Sequence, residues 1–491
     1  MNDVEGMLDL AADNWWDEET TQHLLNSDPR TYNSYTYENE TDNYQQDHYQ
    51  IIYSNQLSKK LLLNAATHYT YGRGYYEQYK QGRKYEDYQL DDPIIGNDTL
   101  SRTDLIQQKW LNNHFYGATY SLNYKNKNLD AVVGGSWNQY LGDHFGEVIW
   151  MQNAGTAPKN YEWYSNSGTK TDLNMYAKAN YLLGDVVNLY GDIQYRKIDY
   201  SIEGIHDDLR DLTQTHSYNF LNPKMGAYYK IANNQNAYTS FAISNREPSR
   251  SVFRDAAEDE IPVPERLLDY EFGHEYHSSN FSISTNIFYM DYKDQLVLTG
   301  EINDVGAANM TNASDSYRAG IEISTAVKFT QFLDWETNVS YSQNKIKNFI
   351  SYVENWDNWE TGEQIVEELG TVDIAYSPDW VCDNIFTIHP VKNFNVSFIT
   401  KYVSDQFIDN TSSNERKLDA YLVNDIKMDY TISDLWFKEI NFSLALNNVL
   451  NEEYETNAWV YRYYYDKKEK VMDGYYPQAG INFMAGIRIK I

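Results

Sequence analysis

Hydrophobic and polar positions alternate with a period of two over most of the chain. In "FSISTNIFY", Phe281, Ile283, Thr285, Ile287 and Tyr289 fall on one side, and Ser282, Ser284 and Asn286 on the other. "INFSLALNN" sets Ile440, Phe442, Leu444 and Leu446 against Asn441, Ser443, Ala445 and Asn447. The closing "AGINFMAGIRIKI" aligns Ile481, Phe483, Ala485, Ile487, Ile489 and Ile491 opposite a face that carries Arg488 and Lys490. Alternate side chains of a strand point to opposite faces. These segments therefore predict antiparallel β-structure with one apolar face and one small, polar face.

The connections between the predicted strands also alternate. Short ones, rich in Asn, Asp, Gly, Ser and Lys, fall at 58–60, 126–128, 184–187, 232–235, 278–280, 330–332, 391–393 and 433–439. Long polar ones cover 80–104, 143–167, 206–215, 250–264, 301–315, 351–366, 409–416 and 464–474. A soluble antiparallel sheet shows the same side-chain alternation, but its strands usually run about five or six residues. It also has no reason to gather its long loops at one end. A transmembrane β-barrel has short periplasmic turns and long extracellular loops, so the expected fold is all-β, an antiparallel transmembrane β-barrel. About seventeen strands can be traced, whereas single-chain bacterial barrels have even counts. The reading is an even barrel with an odd number of strands absent from its front. Residues 1–48 are then a remnant of an extracellular loop, and 49–491 the C-terminal part of one barrel domain.

Composition sharpens this picture. The 491 residues carry a formal charge of −31, yet include 46 Tyr, 12 Trp and 18 Phe. A barrel reconciles polarity with aromatic wealth, because apolar-out, polar-in strands with aromatic girdles average to unremarkable hydropathy. The acidic balance argues against nucleic acid, whose phosphates require Lys and Arg. The lone Cys382 excludes an intramolecular disulfide framework. "MNDVEGMLDLAADNWWDEE" has no basic start, apolar stretch or small-residue cleavage site, so the expectation is either a protein that stays in the cytoplasm or one whose real beginning is not Met1.

Several segments resemble a known family. "ALNNVLNEEYE" is similar to the element before the last strand of TonB-dependent outer-membrane receptors, here Asn448, Val449, Leu450, Asn451 and Tyr454. "VPERLLDYEFGHEY" looks like the family's Pro-Glu…Tyr-Glu-x-Gly strand, with Pro264, Glu265, Tyr270, Glu271 and Gly273. "YGRGYYEQYK", "NPKMGAYY", "SNREPSR", "FYMDYKDQLVLTG" and "YSQNKIKNF" follow in family order. The resemblance implies a barrel of about 22 strands around a plug, hence some five strands and the plug missing here. It implies active uptake of a scarce ligand, most often a ferric siderophore, with haem and cobalamin less favoured. TonB would act only through the missing plug. The expected setting is the bacterial outer membrane, as a monomeric barrel among lipid and glycolipid. The alternative is a passive porin-like or adhesin-like barrel.

Catalytic chemistry is not expected: the chain contains no H-E-x-x-H, G-x-S-x-G, P-loop or C-x-x-C. No cofactor or resident metal is expected either. His274 and His277 stand three apart, which on a strand places them on opposite faces. His23, His48, His144 and His206 fall in predicted loops, where a haem or metal chelate could meet them. The chosen ligand candidates are Arg246, Glu247 and Arg250. Phe241 and Ile243 point outward, so Arg246 points into the lumen near the mouth. There it would steer an anionic ferric complex, or pair with a carboxylate of a neighbouring strand or plug. "VYRYYYD" (460–466) with Tyr475 and Tyr476 reads as an interfacial belt and loop base.

Overall fold

The computed structural model describes residues 37–256, 261–302, 308–361, 364–433 and 436–491. The expected loop remnant is therefore described only from Tyr37, and His23 lies outside the described residues. The fold is antiparallel all-β. Among the described residues twenty strands enter the main ladder, and two small clips pair Ile94–Ile95 with Asp98–Thr99 and Gln406–Phe407 with Lys417–Leu418. Three of the predicted strands each appear as two ladder strands: Gln364–Asp373 with Trp380–Val391, Glu439–Asn447 with Glu455–Tyr465, and Lys468–Pro477 with Asn482–Lys490. With each split pair counted once, the described ladder has the seventeen strands expected from the period of two.

The chain divides into two compact units. In the unit built on 33–183 and 189–224, Asp42–Ser58, Leu61–Lys84, Arg102–Lys125, Leu129–Met151 and Tyr161–Leu183 pair in chain order. The first strand starts seven residues before the expected 49. Its apolar side continues across neighbours: Tyr49 opposes Tyr69, which opposes Tyr116. Tyr69 and Tyr71 both stack on His114, and Tyr116 meets Trp137.

In the unit built mainly on 225–491, Gln235–Arg246, Glu265–His277, Phe281–Ile302, Ala308–Thr330 and Leu333–Asn355 form consecutive hairpins. Trp380–Val391, Phe394–Val403, Tyr421–Ser433, Glu439–Asn447 and Asn482–Lys490 continue the ladder. The closing comb is in register with the strand before it: Phe483 opposes Leu446, Ala485 opposes Leu444 and Ile487 opposes Phe442. It is bare, with Phe483 71% and Ile487 67% exposed. Its other face is exposed as well, Met484 at 70%.

Two family-like segments have local physical causes. Asn448 and Asn451 take positive φ of 50° and 54°, which Asn tolerates better than most residues. The Asn448 amide accepts from the Glu452 N–H at 2.8 Å and donates to the Glu452 and Ala479 carbonyls, while Asn451 Oδ1 accepts from the Ile481 N–H. The turn thereby aims the closing strand. In "DYEFGHEY", Gly273 lies under the Tyr238 ring, where a Cβ would come within 2.1 Å. Tyr238 reaches across that gap to Asn286 Oδ1.

The structure corrects the predicted loops. Residues 464–474 are a hairpin turning at Asp466-Lys467, both at positive φ, as a two-residue type I′ turn requires. Much of 80–104, 143–167, 301–315 and 351–366 is strand as well. Where both faces of a strand meet water, side-chain alternation fades while the backbone ladder continues. Polarity alone therefore reads as loop.

Candidate functional site

The predicted candidates sit where Gln235–Arg246 gives way to a short helix, Arg250–Asp255. Arg246 opposes Glu265 in register, and its Nε donates to Glu265 Oε1 at 3.0 Å. The other Glu265 oxygen accepts the Leu296 N–H. Arg246 thus has a neighbouring-strand carboxylate, one of the two alternatives that its position allowed. Glu247 is buried. Arg250 opens the helix, which is anchored by buried Val252 and Phe253.

A different arginine faces a cavity. Arg318 lies on the side of Ala308–Thr330 opposite the apolar row of Ala319, Ile321 and Ile323, which oppose Tyr289, Ile287 and Thr285. Its Nη1 donates to Asn344 Oδ1 and Ser377 Oγ, both at 3.1 Å. Among the described residues no carboxylate forms an ion pair with it. The cavity, about 340 Å³, is lined by Arg318, Gln295, Ser340, Ser342, Asn344 and Ser377, with apolar walls from Leu296, Val297 and Val381. Tyr376 also lines it and donates to the Ala458 carbonyl at 2.6 Å. Burial pushes the Tyr376 phenol above its ordinary range, so it remains a neutral donor. Sequence reading missed Arg318. Its one local signal was a large cation in the inner row of "SYRAGIEIS", between small residues.

The remaining polar clusters close on themselves. Arg416 donates to Asp409 at 2.7 Å and to Thr411, and lies 3.5 Å from Glu469. Arg462 spans Glu367 and Glu469, both at 2.7 Å, and Ser351. The Tyr-rich hairpin packs on Trp356, whose ring centroid lies 4.0 Å from that of Tyr463. Its turn N–H groups at Asp466 and Lys467 donate to the Asp357 carboxylate. The aromatics here are thus a loop base held by hydrogen bonds.

In the other unit, His206, Asp207 and Asp208 bring three possible metal-ligating atoms within 4.8 Å. His206 Nδ1 lies 2.6 Å from Asp207 Oδ1, the second Asp207 oxygen takes the Lys109 ammonium, and Asp208 takes Arg210. Burial alone would raise the Asp207 carboxyl, but His206 and Lys109 outweigh it and hold the group well below the carboxylate range. This arrangement is an ion-pair knot. His48 bonds Thr70, and the His144 ring is half-buried. His274 opposes Thr285 of the apolar row, whereas His277 opposes Ser282 of the polar row, so the two do not converge.

Comparison with known proteins bears on this arrangement. The family profile described as "TonB dependent receptor-like, beta-barrel" matches residues 6–449. The pesticin receptor of Yersinia enterocolitica is 23% identical over 126 residues, 26% of this chain and 18% of that receptor. Among solved structures, the ferric-catecholate import receptor Fiu of E. coli K12 is similar at TM-score 0.65 and 14% identity, over 96% of this chain and 67% of that one. The ferric yersiniabactin uptake receptor FyuA of Yersinia pestis gives 0.60 and 13%, over 90% and 60%. The copper transporter OprC gives 0.64 and 11%, over 91% and 65%. The chain therefore spans about two thirds of the length of these solved relatives, and their likeness is one of fold.

Proposed function

The chain belongs to the TonB-dependent receptor β-barrel family, and from that premise we propose that it is the barrel portion of an outer-membrane receptor for TonB-driven uptake of a ferric siderophore or similar iron complex. The observation that carries this reading is the two-faced strand. From Leu61 to Tyr71 one side runs Leu61, Leu63, Ala65, Thr67, Tyr69 and Tyr71. At ~3.3 Å per residue and the usual barrel tilt, that run is roughly 25 Å tall, the height of a barrel's apolar band. Among the described residues no helix is long and apolar enough to cross a membrane.

In this proposal residues 49–491 form one barrel domain, monomeric among lipid and glycolipid. TonB engages through a plug, and the chemistry is capture and transfer rather than catalysis. Arg246, Glu247 and Arg250 form part of the ligand-facing rim. Iron is favoured because ferric chelates are named for two of the three solved relatives above.

The test is uptake of radiolabelled ferric siderophores by native cells with and without the gene, before and after collapse of the proton gradient. Gene-dependent uptake that stops with the gradient is expected. Gene-dependent uptake that survives collapse would replace the reading with a passive porin-like barrel.

A further inference from the structure

The chain has 71 acidic and 40 basic residues, so a half-buried arginine whose hydrogen bonds go only to neutral groups, with Glu265 near but not ion-paired to it, is unusual within it. Arg246, Arg416 and Arg462 each have a carboxylate, whereas Arg318 has Asn344, Ser377 and the Tyr292 phenol. An arginine fork matches a planar carboxylate through two parallel hydrogen bonds. The cavity beside it adds the hydroxyls of Ser340, Ser342 and Ser377 and the amide of Gln295, with an apolar wall behind. Its 340 Å³ lies at the small end of the ~300–1,000 Å³ of ligand pockets, which suits one arm of a chelate. Residues 318, 344 and 377 come from two strands and a connection, so this is an assembled pocket.

We propose that Arg318 and its hydroxyl-lined cavity form a carboxylate-binding subsite that selects carboxylate-bearing ferric chelates over uncharged ones. The inference rests on reading this face as the ligand-facing side of an uptake receptor. The same carboxylate chemistry could come from a small chelate or from a protein side chain, and the proposal commits to the chelate.

The test titrates the purified chain in detergent micelles with citrate, ferric citrate and an uncharged ferric trihydroxamate, read by tryptophan fluorescence and calorimetry. Wild type is expected to bind citrate and ferric citrate. Arg318→Gln should weaken both by about tenfold or more, and Arg318→Lys by less, since it keeps charge but loses the fork. Lys293→Gln, on the outward side and paired with Asp315, should bind like wild type. Ser342→Asp supplies an internal carboxylate and should abolish citrate binding while heat-modifiable gel migration stays unchanged. Arg318→Gln binding citrate as wild type does, or wild type binding none, overturns the subsite. In the latter case the carboxylate met by Arg318 is a protein's own. The receptor reading fails separately: Arg318-dependent citrate binding without gene-dependent iron uptake would sink it and leave the subsite standing.

Discussion

Arg416 and Arg318 belong to the same unit and have the same side chain, yet their surroundings differ in kind. Arg416 is 8% exposed against an Asp409 side chain that is 3% exposed, with Thr411 and Glu469 completing its shell. Arg318 faces an amide and a hydroxyl beside an open cavity. The first arrangement resembles a finished structural joint, in which removing either partner strands a buried charge. In the second, the guanidinium still has donors to offer an anion from outside. An arginine in such a strand wall is thus informative less by its presence than by what already neutralises it.

The comparison can be broken at several points. The largest effect is expected for Arg416→Ala, which leaves Asp409 buried and unpaired. Losses of about 3–5 kcal/mol accompany such a change, and they should appear as faster hydrogen exchange across 405–418. A loss below about 1 kcal/mol would show that the joint is not structural. Arg462→Gln should follow at about 2–3 kcal/mol, because Glu367 loses its cation while Glu469 keeps Arg416. Limited proteolysis of the hairpin at Asp466-Lys467 measures it.

Acid provides a third probe, on the Lys109–Asp207–His206 knot of the other unit. The Asp207 carboxyl is depressed in the fold, so its contribution is fully present above the unfolded value of about 4 and is lost as pH falls through the lower folded value. Exchange protection of 204–212 should therefore decline below about pH 4, and Asp207→Asn should flatten that dependence. Protection that stays unchanged as pH falls through that window would show that Asp207 does not hold the segment. The smallest stability effect is expected for Arg318→Ala, about 1 kcal/mol or less, since only neutral hydrogen bonds are lost. Its large effect belongs to carboxylate binding. A stability loss as large as that of Arg416→Ala would erase the distinction.

The strands were legible in the sequence to a large degree. A period of two is a local property, and a row such as Phe281, Ile283 and Ile287 states its face without knowing its neighbours. The turn signals at 126–128 and 278–280 are local too. The extensions beyond the apolar band were not legible, because with water on both sides polar residues carry no periodicity. Arg246 was visible from its parity, and the sequence allowed it a carboxylate partner; register with Glu265 supplied one.

The sequence by itself determined the strand period, the two-faced character of the wall and the Asn-rich turn before the last strand. Only the tertiary structure decided which half-buried arginine among the described residues is left without an ion-paired carboxylate. The partners of Arg318 lie 26 and 59 residues away along the chain, and those of Arg416 lie 5, 7 and 53. Neutralisation of a charge depends on what folding brings within about 4 Å, and no local pattern of side chains encodes that distance.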